Sequence, residues 1–240
     1  NLVRYEFKNV NKWYLALYGA VLALSGLIGI QAKTYNNLPI KESQPILLIF
    51  LALVFGGLMI TLGISTLILI IRRFKGSVYD RQGYLTLTLP VSEHQIILAK
   101  LLGAFIWSLI SSAVLVLSIY IILVIIEPNS VDFLAFKDLF QQYLDSIGLS
   151  LISYILSTIS GILCIYLAIS IGQLFNEYRT ALAVLAYIVI QTILGFVGLN
   201  LRIDNDYNWM ISFEIVKDLI LSAAFYLGTY YILKNKVNLQ

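Results

Sequence analysis

Apolar residues are grouped along the chain into long uncharged runs, separated by short segments that hold almost all of the charged residues. A helix needs about 20 apolar residues to cross a hydrocarbon core of about 30 Å. Five runs are long enough, and a sixth becomes so either if Lys217 and Lys234 extend toward the interface or if Ile215 and Val216 are included. The pattern predicts transmembrane helices over residues 13–32, 46–71, 97–126, 146–174, 180–200 and 215–233.

The composition indicates the same class of protein. Apolar residues make up 60% of the chain and charged residues 12%, whereas soluble domains have roughly 45–50% and about 25%. The chain of 240 residues has too few charges to cover a water-exposed surface. We therefore expect an all-α, polytopic membrane protein with a single transmembrane domain over residues 1–240.

The distribution of Lys and Arg predicts the orientation of the helices. With six spans, eleven of the sixteen basic residues fall on the side that holds both termini. That side is expected to be cytoplasmic. Its basic residues are Arg4, Lys8, Lys12, Arg72, Arg73, Lys75, Arg81, Lys100, Arg179, Lys234 and Lys236.

Few residues are available for chemistry within the membrane. His94 is the only histidine and Cys164 the only cysteine, so a paired-histidine or CxxC metal site cannot form within one chain. His94 is expected to be a solvated residue in the first turn of a helix. There is no phosphate-binding loop, no GxGxxG motif and no basic cluster typical of nucleic-acid binding. We expect no catalytic residue, no metal and no bound cofactor in this chain.

Two further features concern the membrane surface and helix packing. Residues 1–12 combine apolar and basic side chains and are expected to form an interfacial helix on the membrane lipid. Ser153, Ser157 and Gly161 follow one another at four-residue spacing in the fourth span. Small residues allow helices to approach closely, so these three are expected to pack within the chain or against a second copy.

The segment between the second and third spans is the longest cytoplasmic connection. Pro90 cannot continue a preceding helix, and Ser92 with Gln95 has the spacing of a capping box. A helix should therefore begin at Ser92 or Glu93 and continue into the third span. Upstream, two aromatic residues flank an acid, a base and an amide, a composition suited to docking in a cleft of a soluble partner. These residues are Tyr79, Asp80, Arg81, Gln82, Gly83 and Tyr84.

Residues 79–107, YDRQGYLTLTLPVSEHQIILAKLLGAFIW, resemble the conserved region of permease subunits of bacterial type 2 ABC exporters. The resemblance extends to the number of spans and to the interfacial helix before the first one. It implies a coupling helix at residues 79–84 that docks on an ATPase. It also implies a bacterial plasma membrane location and two ATP-binding subunits, which would hold ATP and Mg²⁺.

The function expected from this resemblance is that of the membrane-spanning subunit of an ATP-driven exporter, paired with a second copy or a homologous permease. The charge-poor spans favour a hydrophobic or amphipathic cargo, such as a peptide or a lipid-like compound. One alternative is a six-span substrate-binding or scaffold subunit with no directly docked ATPase. A second is an intramembrane enzyme, which would need acids or metal ligands at membrane depth.

Overall fold

The computed structural model describes residues 12–37, 45–79, 92–126, 144–175, 177–200 and 207–236. Within these ranges the regular elements are all α-helices. They are α1 (Lys12–Asn37), α2 (Pro45–Val78), α3 (Glu93–Ile126), α4 (Leu144–Gly172), α5 (Arg179–Asn200) and α6 (Tyr207–Lys236).

Five of these helices, α1 to α5, are long and apolar enough to cross a membrane. They overlap the first five predicted spans, so over the described residues the prediction of an all-α fold with several helices long and apolar enough to span a membrane is confirmed. Helix α6 is not among the five. Glu214, Lys217 and Asp218 interrupt its sequence, and its charge-free part, residues 219–233, is shorter than the ~20 residues that a ~30 Å core requires. The sixth span therefore stays a prediction.

Two predicted helices fall largely on residues outside the described ranges. These are the interfacial helix over residues 1–12 and the coupling helix after Tyr79. Both stay predictions.

The helices form two compact units. The first comprises Asn1–Ile68 and Ile106–Gln142, and the second comprises Leu69–Phe105 and Tyr143–Gln240. In the first unit a buried hydroxyl cluster joins three helices. The Oγ of Ser111 on α3 lies 2.9 Å from the hydroxyl of Tyr18 on α1 and 3.0 Å from Oγ1 of Thr66 on α2. Because lipid tails are as apolar as leucine, such contacts help to select which helices pair.

The second unit contains the main apolar core. Its buried residues come from the end of α2, the beginning of α3, the second half of α4 and from α6, while α5 packs partly buried side chains against them. The centre of this core is the ring of Phe74, which is fully buried and stacks on Tyr166 with centroids 3.9 Å apart. The buried members are Ile70, Phe74, Val78, Ile96, Ile97, Ala104, Ile162, Leu163, Cys164, Ile165, Tyr166, Ile169, Phe225 and Leu233.

Many hydroxyl groups in these apolar helices are satisfied locally. The side chain of a Ser or Thr can donate to the carbonyl three or four residues earlier, which removes the cost of an unpaired hydroxyl in lipid. Residues that do so include Ser25, Thr34, Thr61, Thr66, Thr158, Ser170, Thr192 and Thr229. Hydroxylated residues in the spans therefore need no functional role to be tolerated.

Glycine permits a close helix contact at the end of α4. A Cβ added to Gly172 would lie 2.5 Å from the backbone oxygen of Arg179 and 2.7 Å from the Cβ of Ala183. Neither atom is the end of a flexible side chain, so the short turn from α4 to α5 requires glycine here. A Cβ added to Gly63 in the middle of α2 meets no described residue within 4 Å.

Replacing Gly172 with alanine should lower the free energy of unfolding by about 1–3 kcal/mol, because the backbone must move to admit the methyl group. The matched change Gly63→Ala should be neutral or stabilising, since alanine is favoured over glycine in a helix by about 1 kcal/mol. Unfolding of both variants in mixed micelles, followed by circular dichroism, measures the difference. Equal stability of the two variants would contradict the contact.

The side of the membrane on which α6 begins and ends tests the sixth span. In a Cys164→Ser background, single cysteines replace Trp209 and Lys234, at opposite ends of α6. If α6 crosses the membrane, an impermeant maleimide labels the two positions from opposite sides, and Lys234→Cys reacts from the same side as Arg72→Cys. Labelling of both α6 positions from one side would leave a chain of five spans.

Candidate functional site

The end of α2 is attached to α4 by Tyr79, the first residue of the predicted coupling segment. Its hydroxyl donates a hydrogen bond of 2.9 Å to Oγ of Ser170, and Ser170 donates in turn to the carbonyl of Tyr166 at 2.8 Å. The Tyr79 ring also contacts the edge of Phe74, with centroids 6.1 Å apart. The residue predicted to begin a docking element thus packs its partly buried side chain against the core.

Burial of Tyr79 also moves the pKa of its phenol further above physiological pH. Desolvation raises the pKa of Tyr79 to about 12, and the hydrogen bond to Ser170 opposes part of that rise. The phenol therefore stays neutral and able to donate at any physiological pH.

Helix α3 begins at Glu93, as the sequence predicts. The carbonyl of Ser92 accepts hydrogen bonds from the backbone N–H groups of Gln95 at 2.9 Å and Ile96 at 3.2 Å. These bonds place Ser92 at the N-cap position. The side-chain bonds of the predicted capping box stay a prediction, and Pro90 lies outside the described residues.

The first turn of α3 is held against the same core as Tyr79. Ile96 and Ile97 are buried there, and His94 contacts α6. The Nδ1 of His94 and the hydroxyl of Tyr226 are joined by a hydrogen bond of 2.6 Å, and the imidazole stacks on Tyr230 with centroids 4.0 Å apart. His94 is exposed, in line with the expectation of a solvated residue, yet it also ties α3 to α6.

The segment 80–91 is therefore attached at both ends to one packed unit. Tyr79 attaches it to α4, and His94 with Ile97 attaches it to the core and to α6. Lys75 adds a contact to α5 by donating to Oγ1 of Thr180 at 3.3 Å. The other residues predicted to contact an ATPase lie outside the described residues, and they are Asp80, Arg81, Gln82, Gly83 and Tyr84.

The predicted small-residue face on α4 has a different environment. Ser157 and Gly161 line a cavity between α4, α5 and α6, and a Cβ added to Gly161 meets nothing within 4 Å. Among the described residues, Gly161 therefore does not serve a close helix contact. Packing of Ser153, Ser157 and Gly161 against a second copy stays a prediction.

Sequence reasoning missed the partners that fix the two ends of the segment. Ser170 lies 91 positions after Tyr79, and Tyr226 lies 132 positions after His94. One signal was present, because Tyr226 and Tyr230 are four residues apart and so share a face of α6. Among the described residues, no group of three or more His, Cys, Asp or Glu is placed to hold a metal ion.

Comparison with protein-family models, with curated proteins and with solved structures finds no match to this chain.

The variant Tyr79→Phe should keep the ring on Phe74 but lose the bond to Ser170. We expect the free energy of unfolding to fall by about 1 kcal/mol, the usual net value of a buried hydrogen bond. Tyr231→Phe is the matched control, because Tyr231 is 59% exposed. Thermal unfolding in detergent, followed by circular dichroism, compares the two variants. A Tyr79→Phe protein as stable as the control would mean that the bond does not hold the end of α2.

Proposed function

We propose that this chain is the membrane-spanning subunit of an ATP-driven exporter, with the segment after Tyr79 as its contact with a cytoplasmic ATPase. The observation that carries the proposal is the attachment of both ends of this segment to one packed unit. An element that receives force from a partner must be tied to the helices that move, since a loosely attached loop would absorb the displacement.

The contacts suggest how a displacement would reach the membrane. A push on the segment acts on α4 through the bond from Tyr79 to Ser170 and through the stack of Phe74 on Tyr166. The same push acts on α6 through His94 and its contacts with Tyr226 and Tyr230. Packed aromatic groups shift as units rather than deform, so the helices would move largely as rigid bodies.

The remaining parts of the proposal follow the resemblance of residues 79–107. Two ATP-binding subunits would hydrolyse ATP with Mg²⁺, and a second copy of the chain or a homologous permease would complete the path. The wholly apolar or hydroxylated character of most span residues favours a hydrophobic or amphipathic cargo over an ion or a sugar. The assembly would reside in a bacterial plasma membrane, with both termini in the cytoplasm.

Co-purification tests the contact with an ATPase. The variant that combines Asp80→Lys with Arg81→Glu reverses two charges in the segment without changing the net charge. If wild-type chain purified from its native membrane retains an ATPase, this variant should lose most of it, because like charges would oppose at the interface. The retained ATPase is measured as activity per mole of chain.

The matched control combines Glu177→Lys with Arg179→Glu in the turn between α4 and α5, where both residues are exposed. It should retain ATPase at the wild-type level. Equal retention by the two double variants would contradict the proposed contact. If wild-type chain retains no ATPase at all, the scaffold or substrate-binding alternative replaces the exporter proposal. Turnover by the purified chain alone would favour an intramembrane enzyme.

A further inference from the structure

A cavity of about 480 Å³ lies between α4, α5 and α6, within the second unit. This volume is within the range of pockets that hold small molecules, roughly 300–1,000 Å³. Small residues create the space, including Gly161 on α4 and Gly195 and Gly198 on α5.

Among the described residues, the charged groups that line this cavity carry an excess of negative charge. They are Glu214, Lys217 and Asp218, so one ammonium faces two carboxylates. The Nζ of Lys217 lies 3.9 Å from the Glu214 carboxylate and 3.7 Å from that of Asp218. Both distances exceed the 2.7–2.9 Å typical of a charge-assisted hydrogen bond. The ammonium of Lys217 is therefore shared between the two carboxylates, and each carboxylate can accept further hydrogen bonds.

Asp218 is the carboxylate that most needs a partner. Its side chain is 8% exposed, whereas the side chain of Glu214 is 46% exposed and can be hydrated. The Ser157 hydroxyl lies within hydrogen-bonding reach of Asp218. A buried carboxylate with one hydroxyl and one distant ammonium retains capacity to accept further bonds.

The rest of the lining is apolar and aromatic. Trp209 and Phe213 stack on each other with centroids 5.6 Å apart, and Leu194, Leu221 and Phe225 complete the surface. Aromatic faces attract cations as well as apolar groups. A site of this kind suits a molecule with one positively charged end and an apolar body.

We propose that the cavity is a binding site for a monocationic amphiphile, whose ammonium group pairs with Asp218 and whose aromatic or alkyl body lies against Phe213 and Phe225. The three charged residues precede the charge-free part of α6, and α4 and α5 are membrane-spanning by length and composition. An amphiphile that partitions into the bilayer keeps its charged end at the membrane–water interface, which is where a charged segment meets a charge-free helix. The site is complete within one chain and requires no ATPase, so it stands independently of the exporter proposal.

Calorimetric titration of the purified chain in phosphatidylcholine nanodiscs tests the site, with empty discs as the blank. The probe is 4-phenylbutylamine, and 4-phenylbutanol and 4-phenylbutanoate are neutral and anionic comparators of the same length. We expect one saturable site that binds the amine about tenfold or more tightly than the alcohol, as a charge-assisted bond would give. The anionic probe 4-phenylbutanoate should not bind.

Asp218→Asn keeps the shape of the side chain and should reduce amine affinity to that of the alcohol while leaving alcohol affinity unchanged. Glu177→Gln, an exposed carboxyl outside the cavity, is the matched control and should bind as wild type does. Gly195→Leu should abolish binding of both probes, because a Cβ at Gly195 meets nothing within 4 Å and the side chain fills the cavity.

The proposal is overturned if no saturable binding occurs, if Asp218→Asn binds the amine as wild type does, or if the carboxylate binds equally well. Gly195→Leu keeps the test decisive should Asp218→Asn fail to fold. Nanodiscs of phosphatidylethanolamine identify the source of the ammonium. Weaker amine binding there would show that the lipid headgroup competes for Asp218, and unchanged binding would assign the site to a free amine.

Discussion

The packing of Phe74 on Tyr166 is the contact on which the second unit depends. It joins the end of α2 to the middle of the α4 core through two parallel rings, and it positions Tyr79 to reach Ser170 one helical turn further along α4. Aromatic pairs in edge-to-face geometry, such as Phe74 with Tyr79, add about 0.5–1.5 kcal/mol beyond the area that they bury. In a membrane this term matters more than in water, because burial against another helix gains little over burial against lipid.

Helices α4 and α6 each line the cavity and each contact one end of the cytoplasmic segment. On α6, Asp218 lines the cavity and Tyr226 contacts His94, and these residues are about 12 Å apart along the axis at 1.5 Å per residue. On α4, Ser157 lines the cavity and Ser170 accepts from Tyr79, about 20 Å away. Any displacement of these two helices relative to α5 would change the shape of the cavity. If both proposals hold, force on the cytoplasmic segment would alter the affinity for an amphiphile.

The sequence predicted the parts of the fold that follow from local composition. The first five spans are uncharged runs of sufficient length, and the start of α3 follows from Pro90 and Ser92, so these elements required no tertiary information. Helix α2 extends beyond its predicted span because polar residues such as Lys75 continue a helix once its apolar part is formed. Whether α6 crosses the membrane could not be decided from the sequence, because Lys217 and Asp218 lie where its apolar run would have to be completed.

The candidate sites were less predictable, because they depend on partners far away in the sequence. Nothing near Tyr79 indicates that its hydroxyl reaches Ser170, and a lone exposed histidine gives no sign of a stack on Tyr230. Ser157 was selected as a packing residue for its size, whereas its hydroxyl lies beside Asp218 on another helix. Charge and periodicity identify which residues are unusual, but only packing determines what they contact.

Amide hydrogen exchange of the chain in native membranes tests the central claim, that the segment between α2 and α3 is the contact with a partner ATPase. The exchange is compared before and after peripheral subunits are stripped from the membrane. The account predicts slower exchange over residues 79–95 when the subunits are bound, with little change over residues 207–218. Equal exchange over residues 79–95 in the two states, or protection confined to other parts of the chain, would contradict it.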